Sequence, residues 1–243
     1  MSTSSRPDVE TRSSSVVQEP LSPTLAWLVD RAGARPEPAA SFTAAATADP
    51  AAFAQALIGT GRTPDAIRLV ACALPPREGV WWAWVSARHA SQGGGMAASP
   101  PAVTDALAAV ERWISQPTDD MRRAAWTAGQ AAGLESPAGA AAAAAYFSTG
   151  SLAPADAPLV PPPPGLHSFM IAAAVTLAAA ADPEHLGALA TAYIAQALEI
   201  VKQLGGWDRA TAAAREYHES QRVQHERASA PPTNESASAA AGG

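Results

Sequence analysis

Apolar residues recur at three- and four-residue spacing through most of this chain, and each run opens on a similar signal. A capping side chain comes first, then a proline or an acid. Asp49-Pro50 precedes a run through Leu57 and Ile58 that Gly59 or Gly61 ends, and Thr63-Pro64 precedes Ile67, Val70, Ala71 and Leu74. Ser99-Pro100-Pro101 leads into Val103, Ala106, Leu107, Val110, Trp113 and Ile114, which fall on one helical face. Thr118-Asp119-Asp120 opens a helix with Met121, Ala125 and Ala128 inward, and Ser136-Pro137 opens an alanine run closing on Tyr146 and Phe147. Asp182-Pro183-Glu184 opens the longest, with Leu186, Leu189, Tyr193, Ala197, Ile200, Val201 and Leu204 inward before Gly205-Gly206. Agreement between caps and periodicity predicts an all-α fold, an irregular bundle or stack of helical hairpins with about seven to eight helices.

The segment around which this bundle is organised runs from Leu74 to Arg88. It holds three of the seven tryptophans, and Pro75-Pro76 sets where its helix starts. Arg77, Trp81, Trp84 and Arg88 share one face; Glu78, Trp82, Val85 and His89 share the next. Gly79, Ala83, Ser86 and Ala90 make a third stripe with almost no bulk, along which another helix can lie close. All three indoles, Trp81, Trp82 and Trp84, are expected inside the core.

Residues 148–165 contain four consecutive prolines, Pro161 to Pro164, which cannot lie inside a helix. That stretch either straps the domain surface or separates a core of about 40–150 from helices at 166–204. Residues 1–40 and 228–243 are rich in Ser, Pro and small residues and read as disordered tails. One apolar island, residues 22–30 with Leu25, Trp27 and Leu28, interrupts the first tail. It either docks on a partner or folds back onto its own domain. The helical domain is placed at 41–206, followed by a polar helix at 207–227 that projects into solvent or meets a partner.

Composition narrows the function more by exclusion than by suggestion. The net charge is −6 without a cluster of basic residues, which argues against nucleic acid. Cys72 is the sole cysteine and sits in an apolar run, so it reads as buried packing rather than a nucleophile. The most apolar window, Phe169 to Ala181, spans about 13 residues where a membrane helix needs about 20. No secretory signal is visible at the start, so a soluble, cytoplasmic protein is expected.

Candidate chemistry is sparse. Gly59-Thr-Gly-Arg-Thr-Pro64 superficially resembles a phosphate loop, yet no lysine follows, and ending a helix is the simpler role. His218 and His225 lie seven apart on a polar helix, too far for one metal, and read as a solvated face. Arg122 and Arg123 beside Asp119 and Asp120 look like a solvated helix start with local ion pairs. No metal, cofactor or nucleophile constellation is expected. An enzyme would require distant acids such as Glu78, Asp119 and Asp120 to converge. Arg77, Glu78, Trp81, Trp84 and Arg88 could form a cation–π surface for an anionic or aromatic ligand. The ordinary alternative is that Glu78 pairs with an arginine while the arginine stems pack over core indoles.

The motif Leu74-Pro-Pro-Arg-Glu-Gly-Val-Trp-Trp-Ala-Trp84 resembles a family of uncharacterised bacterial proteins with an Ala-rich helical core and a Leu-Pro-x-Arg-Glu-x-Val-Trp-Trp signature. Ser148-Thr-Gly-Ser-Leu-Ala-Pro154 before the polyproline run is similar too. The resemblance covers about 50–204 and implies an accessory component from loci for type VI secretion, with no catalytic residues to carry over. The expectation is a non-enzymatic helical accessory or adaptor protein with a protein partner and no membrane insertion. A small-molecule binder using the Arg/Trp face of 76–90 is the alternative.

Overall fold

In the computed structural model, residues 21–34, 44–93, 99–154 and 156–229 are described. The predicted disordered stretches at 1–20, 35–40 and 230–243, and most of the glycine loop after Gln92, lie outside the described residues. The described residues are mostly helical, with no strand among them. They form eleven helices rather than seven or eight: α1 Pro23–Ala32, α2 Ala44–Ala48, α3 Pro50–Gly59, α4 Thr63–Ala73, α5 Pro76–Gln92, α6 Pro101–Ser115, α7 Asp119–Ala132, α8 Pro137–Tyr146, α9 Leu166–Ala180, α10 Leu186–Gln203 and α11 Trp207–Ser229. The higher number includes the one-turn α2 and the terminal helices α1 and α11.

Three of the predicted caps act through the expected atoms, whereas Thr63 and Ser99 do not cap: the cap positions of α4 and α6 are Arg62 and Pro100, without a side-chain bond, and Ser99 Oγ donates to Ser91 O instead. Asp49 accepts from the Ala51 and Ala52 amides, Thr118 from Met121, and Ser136 from Gly139. Each satisfies a donor that the first turn would otherwise leave unpaired. Gly61 and Arg62 close α3 by donating to Ile58 and Leu57, so the glycine-rich loop ends a helix. Asp182-Pro183-Glu184 opens a turn instead of a helix. Asp182 accepts from the amide and Nδ1 of His185, and α10 begins one residue later, at Leu186.

Helix α9 packs against α4, α5, α8 and α10. The small-residue stripe of α5 makes this approach possible. A Cβ placed on Gly79 would stand 2.6 Å from Ile171 Cδ1 of α9, so any larger residue would force the Ile171 side chain to shift. Helices α6, α7 and α8 pack on one another, and every residue of the alanine run in α8 is buried. With methyl groups as the only bulk, the axes come close and backbone atoms supply much of the contact. The described residues of 148–165 join α8 to α9 as a strap, with Ser148, Pro161 and Pro162 buried and α9 packed in the same core.

That strap is fastened by Arg122, which is wholly buried. Its guanidinium donates to Tyr146 O and Ser151 O at 2.8 Å, meets Asp119 at 2.6 Å and lies 4.5 Å from the Tyr146 ring centroid. Arg123 adds bonds to Ser151 O and Ala153 O. The expected solvated helix start is therefore half right: Asp119 does pair with both arginines, but Arg122 turns inward. Carbonyls delivered from a later stretch of chain supply the partners that let a guanidinium be buried.

Helix α11 neither projects into solvent nor stands apart. Ala210, Thr211, Ala214, His218 and Gln221 are buried, and the helix packs on α1, α4 and α10. His218 is thus a buried ring, not part of a solvated face; α1 covers it.

Candidate functional site

Of the indoles on α5, Trp82 is fully buried and Trp84 is 8% exposed, but Trp81 is 37% exposed. The expectation that all three sit inside is corrected for Trp81. Both inner indoles satisfy their polar atom: Trp82 Nε1 donates to Tyr193 O at 2.8 Å, and Trp84 Nε1 donates to Leu107 O at 2.9 Å. The face proposed for ligand binding is largely engaged with α6. Arg77 Nε donates to Ile114 O at 2.7 Å, at the negative end of α6, and the Arg88 guanidinium lies 5.2 Å from the Trp84 ring centroid. Glu78 falls in the first turn of α5, where its charge suits the helix dipole. Arg77 and Trp84 thus bond to α6 and Arg88 lies over Trp84, while Trp81 remains partly exposed on the same face.

The apolar island forms α1, capped by Ser22 and folded back onto the domain. Leu25 and Leu28 have no exposed surface and belong to the same core as α4. Trp27 is partly buried against α11, with the Arg215 guanidinium 5.1 Å from its ring and the His218 ring 5.7 Å away. Thr24 Oγ1 donates to Asp208 at 2.7 Å and Arg215 to Pro23 O at 2.9 Å, so both ends of the described chain are tied together.

Beneath this junction the structure assembles residues that the sequence spacing does not connect. Arg31 of α1 reaches His218 Nδ1 of α11 at 3.2 Å. The His218 ring lies 5.6 Å from that of His167 of α9, which in turn stands 4.7 Å from the ring of Tyr217. With Arg31 as donor, His218 Nδ1 must accept, and the proton resides on Nε2. Both His167 Nε2 and His218 Nε2 are buried without a hydrogen-bond partner. Burial, reinforced by the Arg31 charge, lowers the His218 pKa to about 4 and drives that of His167 well below the usual histidine range. Burial also pushes the Tyr217 hydroxyl up, and this hydroxyl donates to Ser148 O at the start of the strap.

On the other side of Arg31, a cavity of about 350 Å³ opens between α1, α4 and α9. Arg31, Arg68, Cys72, Gly165, Ser168 and Phe169 are among its lining residues. Burial pushes the Cys72 thiol up to about 12, so it is protonated at neutral pH and no nucleophile in this state. Among the described residues, no three His, Cys, Asp or Glu side chains gather as a metal would require. None of the described helices is long and apolar enough to cross a membrane. The sequence hint that could have led to this region is local. Arg31 follows the apolar island directly, and His167-Ser168 follow the glycine that ends the proline run.

No curated protein and no solved structure matches the chain. Residues 53–201, from α3 to near the end of α10, match a family of unknown function, DUF6931. The α5 motif, the strap and α9 fall inside this span, whereas α1 and α11 flank it. With more than half of its length matched, the chain belongs to the DUF6931 family.

Proposed function

We propose that this protein is a non-enzymatic helical adaptor that works in the cytoplasm and presents a preformed apolar surface to a protein partner. The observation that carries the reading is the strap. Leu159 and Val160 stand 55% and 48% exposed on backbone that is itself pinned. Leu152 N donates to Val160 O at 2.7 Å, Val160 N donates to Ser151 Oγ at 3.0 Å, and Arg122 and Arg123 hold the carbonyls on the same segment. Adjacent apolar side chains on fixed backbone lose little conformational freedom on docking, which favours association per unit area. The polar groups of the interior support this reading, because Arg122, Trp82 and Trp84 spend their hydrogen bonds on structure rather than on a reaction centre. The resemblance of the α5 motif to proteins from type VI secretion loci supports a partner belonging to that or a related bacterial system.

The test is co-purification of the full chain from its native host, comparing wild type with the double variant L159S/V160S. Both positions are exposed, so the far-UV circular dichroism should not change. Selective loss of a secretion-system component from the variant supports the adaptor reading. An identical set of co-purifying proteins, with wild-type levels of each, contradicts it.

A further inference from the structure

The cavity between α1, α4 and α9 has two arginines, Arg31 and Arg68, in its wall. Its volume is about 350 Å³, within the range of small-molecule sites, and no carboxylate lines it. Arg68 shares the carboxylate of Asp65 with Arg62. Arg31 pairs with no carboxylate among the described residues, and its guanidinium faces the neutral His218 ring.

Arg31 also lies against the start of α9. Gly165, at φ +85°, takes the cap position there, and a Cβ on it would come within 2.7 Å of Arg31 Nη2. Glycine therefore permits both the left-handed turn and the close approach of the guanidinium. The first turn of a helix carries the positive end of its dipole on unpaired amides. Leu166 N and Phe169 N find backbone acceptors, but no side chain caps the turn. A guanidinium facing the positive end of a helix is repelled by it, unless an anion sits between them. In a chain whose net charge is −6, this positive cavity stands out against the overall charge.

We propose that this cavity binds a small phosphomonoester. Its phosphate oxygens accept from Arg31, Arg68 and the first-turn amides of α9, while its organic part lies along Leu166 and Phe169. Fork-shaped guanidinium donors and helix amides suit a phosphate dianion, and the 60% exposed Phe169 ring offers an apolar wall at the mouth. The site uses neither Leu159 nor Val160, so it stands or falls apart from the adaptor reading.

Isothermal titration of the full chain with phenyl phosphate, inorganic phosphate, phenol and benzoate provides the test. Phenyl phosphate should bind saturably, tighter than inorganic phosphate or benzoate, and phenol should not bind. R68Q, at a largely exposed position, should weaken phenyl phosphate by about tenfold or more, the scale of one charge-assisted bond. F169A should weaken phenyl phosphate and leave inorganic phosphate unchanged. Absence of saturation, equal affinity in wild type and R68Q, or preference for benzoate would each overturn the proposal. So would binding of phosphorylated peptides alone.

Discussion

His218 is 6% exposed, enclosed by Trp27, Arg31, His167 and Tyr217, and its pKa is held at about 4. In the unfolded chain the same ring titrates at about 6.5. The unfolded state therefore binds more protons than the folded state between these two values, and stability must rise with pH across that window. The contribution is complete above about pH 6.5 and is lost as the pH falls toward about 4. At about 1.4 kcal/mol per pH unit, His218 alone removes about 2 kcal/mol between pH 7 and pH 5. For a domain of this size that corresponds to a fall in Tm of roughly 4–8 °C. His167 is displaced in the same direction and adds to the effect. Asp119, Asp182 and Glu219 have lowered pKa values, so their stabilisation is lost only at more acid pH, below the ordinary carboxylate range. The assay is urea unfolding at pH 7 and pH 5, followed by circular dichroism, for wild type and H167N/H218N. The wild type should lose at least about 2 kcal/mol more than the double variant over this interval. Parallel pH dependences for the two proteins would refute the argument, because the remaining histidines are common to both.

Other consequences follow from the packing. Arg122→Met should cost about 3–5 kcal/mol in urea unfolding, since Asp119 and the strap carbonyls lose their buried donor, whereas Arg123→Ala should cost far less in the same assay. Trp82→Ala should cost about 3–5 kcal/mol and Trp81→Ala about 1 kcal/mol or less; equal losses would mean that the two indoles are equally buried. Gly79→Ala should destabilise by about 1–3 kcal/mol because its methyl meets Ile171, while Gly59→Ala, with open space around it, should be neutral or slightly stabilising. Equal melting temperatures for these two glycine variants would count against the close α5–α9 packing.

What the sequence revealed follows the range of the interactions involved. Caps act over three residues and amphipathic faces over a few turns, so Asp49, Thr118 and Ser136 mark helix starts, and the bulk-free stripe of α5 foretells a close neighbour. The same spacing cannot tell which side of α5 is covered twice, and Trp81 is left half-exposed although Trp82 and Trp84 are buried. Arg122 is harder still. Its residue type and its local pairing with Asp119 both suggest a solvated helix start, and the carbonyls that justify its burial arrive some 24 to 29 residues later. The His167–His218–Arg31 cluster spans three distant helices, with Arg31 and His218 separated by 187 positions. Polar residues on α11 suggested a face directed to water, since nothing local reveals that α1 covers it. The phosphate-loop likeness at Gly59–Pro64 and the cavity at α9 make the same point in opposite directions. A motif-like string ends a helix, and a site with suitable donors has no motif.

The bonds joining Pro23 and Thr24 to Arg215 and Asp208 impose an order on how the molecule can be completed. As the ribosome releases the chain, the first helix can settle against α4 early, but its polar edge waits for partners translated more than 180 residues afterwards. A fragment ending before Trp207 would keep the segment shared with its family and still leave Trp27 and Arg31 without their covering helix. Premature termination should therefore yield a mostly folded but unsealed molecule, recognisable by proteolytic cutting near its beginning rather than near its truncated end.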